Sequence, residues 1–118
     1  MLEKVARMNL LYDFYGQLLT DRQKYFLELY YGQNLSLGEI AKECEVTRQA
    51  VYDTLKRAEQ LLFQYEGKLG LVAKFHSERK KLAVASSLLE EFSATGEAAK
   101  LLQAREILNE ILDLAGGG

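Results

Sequence analysis

The 118-residue chain has no proline and no tryptophan, and it contains a single cysteine, Cys44, and a single histidine, His76. One cysteine cannot form an intramolecular disulfide, and this cysteine and histidine cannot make a zinc site without several carboxylates. The sequence also lacks a glycine-rich phosphate-binding loop. We therefore expect no cofactor, no metal site and no catalytic residues, which argues against an enzyme. Cys44 is expected to be a small apolar core residue.

Long apolar runs are also missing. The longest apolar stretches span only a few residues, so no transmembrane helix is expected. The N-terminal residues lack an uninterrupted apolar core and a small-residue cleavage site, so a secretory signal is not expected either. The absence of proline, together with abundant leucine, alanine, glutamate and lysine, favours helices and predicts an all-α fold. These features indicate a cytoplasmic protein without membrane insertion.

What the chain does contain is a helix-turn-helix pattern in residues 36–57. Ser36 is a candidate N-cap residue, and Glu39 three positions later completes a capping box. A short helix of about two turns follows and buries one stripe of side chains. This stripe consists of Leu37, Ile40, Ala41 and Cys44.

The turn and the second helix follow at the spacing that the motif requires. Glu45 occupies the turn position that is commonly a glycine in a left-handed conformation, at a cost of about 1 kcal/mol for another residue. Val46 fills the turn, Thr47 is the N-cap of the second helix, and Val51 anchors that helix in the core. An ordinary helical hairpin inside an all-α domain is the alternative interpretation. The buried face of the second helix is expected to comprise Ala50, Val51, Thr54, Leu55 and Ala58.

The outer face of the second helix carries side chains that can read DNA. Gln49 can pair bidentately with adenine, and Arg48 can bind guanine or a phosphate. Asp53 would repel phosphates or accept a hydrogen bond from a cytosine amino group. The alternative is a solvated helix face without a ligand. The predicted DNA-binding residues are Thr47, Arg48, Gln49, Tyr52, Asp53, Lys56 and Arg57.

The overall charge is unusual for a DNA-binding protein. Fifteen basic and 17 acidic residues give a net charge of −2, whereas DNA-binding domains are commonly basic because phosphate neutralisation supplies much of the affinity. Binding would therefore depend on local clusters, and a homodimer would double them. A solvated helix face is the alternative for a second basic cluster further along the chain. The candidate secondary phosphate-binding residues in that cluster are Lys74, Arg79, Lys80 and Lys81.

Gly67 and Gly70 mark the one internal boundary that the pattern indicates. We expect a helix-turn-helix domain in residues 1–66 and a C-terminal helical extension in residues 67–118. The extension is rich in apolar positions, which should either pack back on the core or pair with another copy, and we favour a homodimer. Before the motif we expect a helix over residues 2–19 and a second helix that starts at the capping box of Thr20 and Gln23. After the motif we expect helices over residues 71–92 and 97–115 and a flexible glycine tail over residues 116–118.

Several stretches of the chain resemble the YlxM family of small bacterial proteins. They are RMNLLYDFYGQLLTDRQ (residues 7–23), LELYY (27–31), and the motif segments EIA and VTRQAVYDTLKR followed by YEGKL. The resemblance implies an all-α fold with a helix-turn-helix like region four of sigma factors, in the winged-helix-type DNA-binding superfamily but without a wing. In that region the recognition helix meets the major groove with its first turn. The corresponding residues here are Arg48, Gln49 and Tyr52, with Lys56 and Arg57 near phosphates.

The resemblance also implies a gene next to that of the signal recognition particle GTPase, Ffh, and hence a role in regulating that pathway. Two functions therefore remain open. The first is a regulator that binds double-stranded DNA as a homodimer, which the recognition-helix face favours. The second is a non-enzymatic adaptor that binds Ffh or the RNA of the particle, which the near-neutral charge favours.

Overall fold

The computed structural model describes residues 2–116, and it describes side-chain exposure as far as residue 113. All regular elements in this part of the chain are helical, which confirms the all-α fold, the helix-turn-helix and the long C-terminal helices. Gly117 and Gly118 of the expected tail, and the side chain of Leu114, lie outside the described residues. The elements are α1 (Leu2–Tyr15), a 3₁₀ turn (Gly16–Leu18), α2 (Asp21–Leu27), a short π-helix (Glu28–Gly32), α3 (Leu37–Cys44), α4 (Arg48–Leu69), α5 (Leu71–Thr95) and α6 (Ala98–Gly116).

The chain divides into two compact units. The N-terminal unit ends at Val72 and the C-terminal unit begins at Ala73. Gly67 does not interrupt α4, which continues to Leu69. The turn to α5 is made by Gly70 in the left-handed conformation (φ 63°), a conformation that glycine adopts without a steric penalty.

The core of the N-terminal unit lies between α4 and the helices packed against it. Contacts to α4 come from α1, α2 and α3, and each contributes side chains at helical spacing, as the sequence periodicity predicts. Such an arrangement leaves the opposite side of α4 free to face solvent near its N-terminus. The side chains that form this core include Met8, Leu11, Tyr15, Phe26, Leu27, Ile40, Val51, Leu55, Ala58 and Leu62.

The helix expected over residues 2–19 ends earlier, at Tyr15. Gly16 lies against the ring of Tyr12, and a Cβ on Gly16 would meet ring atoms at 3.0 Å. The chain tightens there into the 3₁₀ turn, and Thr20 then starts α2. Its hydroxyl accepts a hydrogen bond from the Gln23 N–H (3.1 Å), and the Thr20 N–H donates to Gln23 Oε1 (3.0 Å). The predicted capping box is therefore formed.

A buried hydrogen-bond network fixes the turn between α4 and α5. The Tyr15 hydroxyl donates to Glu66 Oε1 (2.5 Å) and accepts from the Leu71 N–H (3.0 Å). The same Glu66 oxygen accepts from the Val72 N–H (3.0 Å). Burial and the bond to Glu66 raise the pKa of Tyr15. The network thus supplies acceptors for the first two N–H groups of α5, which have no partner within their own helix.

Candidate nucleic-acid interface

The first helix of the motif, α3, begins at the predicted capping box. The Ser36 N–H donates to Glu39 Oε1 (2.8 Å), and the Glu39 N–H donates to Ser36 Oγ (3.1 Å). The bonds from the Ser36 backbone and side chain lower the pKa of the Glu39 carboxyl. These reciprocal bonds satisfy two donors at the start of α3 and define where the motif begins.

The turn of the motif has the left-handed residue that the sequence indicates. Glu45 has φ 56° and ψ 45°, and the N–H of Val46 donates to the carbonyl of Ala41 (3.0 Å). This six-to-one bond is typical of a Schellman turn, which usually places glycine at the left-handed position. The prediction for Glu45 is confirmed, and the turn directs the chain into α4.

The second helix of the motif, α4, begins at Thr47. The hydroxyl of Thr47 accepts a hydrogen bond from the Ala50 N–H (3.0 Å), so this side chain caps the helix. Ile40 and Val51 are fully buried where α3 and α4 cross, and Cys44 is half-buried against the same core. The core thus sets the face that α4 presents outward.

That outward face carries the predicted DNA-binding side chains. At about 100° per residue they occupy roughly half of the helix circumference over the first three turns of α4. Gln49 Nε2 donates a hydrogen bond to Asp53 Oδ1 (2.9 Å), one turn later. This bond aligns the Gln49 amide along the helix. The residues of this face, all exposed, are Arg48, Gln49, Tyr52, Asp53, Lys56 and Arg57.

Two open grooves border this face. One has a volume of about 400 Å³ and is lined by Leu37 from the start of α3 together with Arg48, Gln49 and Tyr52. The other has a volume of about 280 Å³. It is lined by Thr20, Arg22, Gln23, Asp53, Thr54 and Arg57.

The second groove brings in Arg22, which the sequence did not indicate as a site residue. Arg22 is exposed on α2, stacks on the ring of Phe26 (5.2 Å from guanidinium to ring centroid) and lines the same groove as Arg57. Its position follows from the packing of α2 on α4, for which a single sequence offers no local signal. With Arg22 included, the surface carries four cations and one anion, Asp53, although the whole chain has a net charge of −2.

The second predicted cluster does not form one basic face. Lys74 and Lys81 each form an ion pair with a glutamate of α5 or α6 (3.9 and 3.6 Å). Arg79 lies over the ring of Phe75 at 5.8 Å, and Lys80 is exposed. Because successive residues rotate by about 100°, Arg79 lies about 160° around the helix from Lys81. Phosphate binding by this cluster stays a prediction.

Comparison with known proteins assigns the family. Residues 2–105 match the model of the UPF0122 family, which is described as helix-turn-helix proteins of the YlxM/p13 type. The chain belongs to this family. The family is one of helix-turn-helix proteins and is not described as an enzyme family, and the helix-turn-helix description suggests DNA binding.

Curated relatives that carry the same family name match the chain along most of its length. A UPF0122 protein of Desulforamulus reducens is 54% identical over 113 residues, which cover 95% of this chain and 96% of the relative. One of Bacillus mycoides is 50% identical over 100 residues, covering 85% and 91%. One of Bacillus pumilus is 49% identical over 108 residues, covering 92% and 98%. The match therefore includes the C-terminal helices as well as the motif.

The described part of the chain has neither a metal-binding cluster nor a membrane-spanning helix. No group of three or more histidine, cysteine, aspartate or glutamate side chains there could hold a metal ion. None of the described helices is both long and apolar enough to cross a membrane.

Proposed function

We propose that this protein is a regulator that binds double-stranded DNA and inserts the N-terminal turns of α4 into the major groove. The observation that carries the proposal is the exposed face of α4. Arg48, Gln49 and Tyr52 lie at the start of the second helix of the motif and are exposed, which is where recognition helices contact base edges.

Gln49 is the residue that we expect to read sequence. Its amide gives one hydrogen bond to Asp53 and has a second N–H and a carbonyl oxygen with which to pair to adenine. Asp53 therefore orients the amide before DNA binds. The Asp53 carboxylate also repels phosphates, so it lowers the affinity for every DNA sequence. By orienting Gln49 it nevertheless increases the preference for the sequence that Gln49 can pair with.

The cations around this face are expected to bind phosphates. Arg22 and Arg57 line one groove beside the base-reading residues, and Lys56 is exposed on the same face of α4. Arg48 lines the other groove and can reach a base or a phosphate. Four phosphate contacts give a slope of log affinity against log salt of about −3.6, so affinity falls about 100-fold between 50 and 200 mM salt. DNA binding by one copy should thus be weak and strongly salt-dependent.

Selection from random duplex DNA, followed by binding measurements on the selected site, tests the proposal. Gln49→Ala should weaken binding to the selected site by roughly 5- to 100-fold and relax the preference at one base position. Arg57→Ala should weaken binding to all sequences and reduce the salt slope by about 1.

Lys68→Ala is the matched control. Lys68 is exposed on the same helix, about 30 Å along its axis from Arg48, and its replacement removes the same charge. It should leave both affinity and salt slope nearly unchanged. The proposal is wrong if no duplex is enriched, or if Lys68→Ala lowers affinity as much as Arg57→Ala.

A second candidate function is an adaptor for the signal recognition particle, binding its GTPase, Ffh, or its RNA. The net charge of −2 supports the GTPase as the partner, because binding to a protein does not require a basic surface. The same purified chain can be immobilised and offered a bacterial lysate beside the DNA library. Retention of Ffh together with no enrichment of DNA would favour the adaptor over the regulator.

A further inference from the structure

The C-terminal unit is a hairpin of two antiparallel helices that buries few side chains. Ion pairs between Lys81 and Glu110 (3.6 Å) and between Glu91 and Lys100 (3.2 Å) fix the pairing of α5 with α6. The fully buried side chains described in this unit are two alanines, Ala85 and Ala104. Such a small apolar contact gives two isolated helices little stability in water.

The two helices repeat one pattern around these alanines. Residues 81–91 read KLAVASSLLEE and residues 100–110 read KLLQAREILNE. Both fit K-L-x-x-A-x-x-(L/I)-L-x-E, with the repeat displaced by 19 positions. The lysine of each copy pairs with the glutamate of the other. Ala85 and Ala104 are both buried and occupy equivalent positions in the repeat, so the hairpin has an approximate twofold axis that passes between them.

This pattern places four leucines on one face of the hairpin, which we call the leucine face. On each helix one leucine lies three residues before the buried alanine and another lies four residues after it. Both leucines are rotated about the helix axis by about 40–60° from the alanine, in the same direction. Because the two helices are antiparallel and their alanines face each other, this rotation places the leucines of both helices on the same face of the hairpin. Leu112, two turns beyond Ala104, extends it. The members of the leucine face are Leu82, Leu89, Leu101, Leu108 and Leu112, each between 38% and 66% exposed.

We propose that the leucine face binds the leucine face of a second copy of this chain. A contact between identical copies about a twofold axis requires a surface that complements itself. The repeat provides one, since its four central leucines are arranged symmetrically about the middle of the hairpin. Two stacked hairpins would form a four-helix arrangement with leucines in its core.

The size of the face is sufficient for a specific dimer. The 19 residues of α6 give a length of about 28 Å, and two adjacent helices are about 20 Å wide. The contact would cover roughly 560 Å² on each copy and about 1,100 Å² in total, which is above the roughly 1,000 Å² expected of a biological interface and just below the range of standard-sized ones. This inference is independent of DNA binding, because it uses none of the residues on the outer face of α4.

Sedimentation of the full chain without DNA tests the inference. The wild-type protein should have twice the 13.4 kDa mass of one chain at a concentration of about 10 µM. The double variant Leu82→Glu with Leu108→Glu places four carboxylates in the contact and should weaken dimerisation by about 100-fold or more.

The control variant carries the same two charges on the same helices but off the leucine face. It combines Val84→Glu with Leu102→Glu, whose side chains are 51% and 58% exposed, and it should dimerise like the wild type. Circular dichroism checks that both variants keep their helices. Because the contact is apolar, raising the salt from about 0.1 to 0.5 M should change the dimerisation constant less than about threefold.

A measurement on the wild type alone keeps the inference falsifiable if a variant does not fold. In a mixture of isotope-labelled and unlabelled copies, nuclear Overhauser effects between leucine methyl groups of different copies are expected. A wild-type monomer at about 100 µM, a dimer that salt dissociates, or a control variant as weak as the leucine variant would overturn the inference. A monomer that instead binds another protein through these leucines would also overturn it.

Discussion

Replacing Glu45 with glycine should stabilise the protein, because its backbone is held in the left-handed region (φ 56°, ψ 45°). That conformation costs an ordinary residue about 1–2 kcal/mol. Glycine removes this cost, but it also increases the conformational entropy of the unfolded chain, which lowers the free energy of unfolding by about 0.4–1 kcal/mol. Loss of a carboxylate at the C-terminus of α3 adds about 0.3 kcal/mol. The expected net gain in the free energy of unfolding is about 1 kcal/mol, or a rise in Tm of about 3–5 °C.

The gain can be measured on the N-terminal unit alone. All seven tyrosines lie between residues 12 and 65, so near-ultraviolet circular dichroism of tyrosine follows that unit during urea or thermal unfolding. Two further variants separate the contributions. Glu45→Gln removes the charge and keeps the backbone cost, so it should gain only about 0.3 kcal/mol. Glu45→Val places a β-branched residue in the left-handed region and should lose about 1 kcal/mol or more.

A complementary substitution tests the same reasoning at another site. Gly70→Ala introduces a Cβ at φ 63° where no atom lies within 4 Å, so any loss comes from the backbone conformation. The loss should be about 1 kcal/mol. The reasoning is refuted if Glu45→Gly gains no more than Glu45→Gln, because the conformational cost would then be absent from the folded protein.

Two hydrogen-bonded groups give predictions about pH. The pKa of Glu39 is lowered from its ordinary value of 4.5 by its bonds to Ser36. The stability that ionised Glu39 contributes is therefore complete above about pH 4.5 and is lost as the pH falls through the lowered pKa. Glu39→Gln keeps the capping box, so the free energy of unfolding in urea should differ less between pH 7 and pH 3 in this variant than in the wild type. Burial and a hydrogen bond to Glu59 (2.8 Å) raise the pKa of Tyr31, so its contribution is complete below pH 10 and is lost above it. Tyr31→Phe should lower the free energy of unfolding by about 1–3 kcal/mol at pH 7 and flatten the decline seen in alkaline unfolding curves, and an unchanged alkaline decline would contradict this cause.

The features that the sequence predicts correctly are those set by a few neighbouring residues. Both capping boxes depend on side chains three positions apart, and both are present at Thr20 and Ser36. The left-handed conformation of Glu45 follows from the spacing between an amphipathic helix and the next N-cap. These interactions form within one turn of helix, so no knowledge of distant packing is required.

The features that the sequence does not predict join residues far apart in the chain. Arg22 and Arg57 line one groove because α2 packs on α4. The bond between Tyr15 and Glu66 spans 51 positions. Periodicity identifies which face of each helix is buried but not which helix will cover it. A site made by two helices therefore becomes visible only when the fold is known.

The composition of a segment does not show which of its side chains share one face of a helix. The run of cations after residue 73 suggests a basic patch, but the rotation of the helix sends Arg79 and Lys81 to different sides. The segment from 81 to 91 shows the opposite case. Its letters alternate between apolar, small and charged residues without an obvious stripe, yet the spacing around Ala85 places its leucines on one face. The spacing of residues from a buried position therefore shows which side chains share a face better than the composition of the segment does.

The low charge of the chain connects the two proposals through thermodynamics. One copy with about four phosphate contacts binds DNA weakly at physiological salt, whereas two linked copies on adjacent half-sites combine their binding free energies. The proposed contact between the copies is apolar, so the salt that weakens DNA binding should leave the dimer intact. Phosphate contacts then supply a smaller share of the total affinity, and base contacts such as those of Gln49 a larger one. Two copies of a weakly charged face should therefore discriminate between sequences better than one strongly basic face of equal affinity.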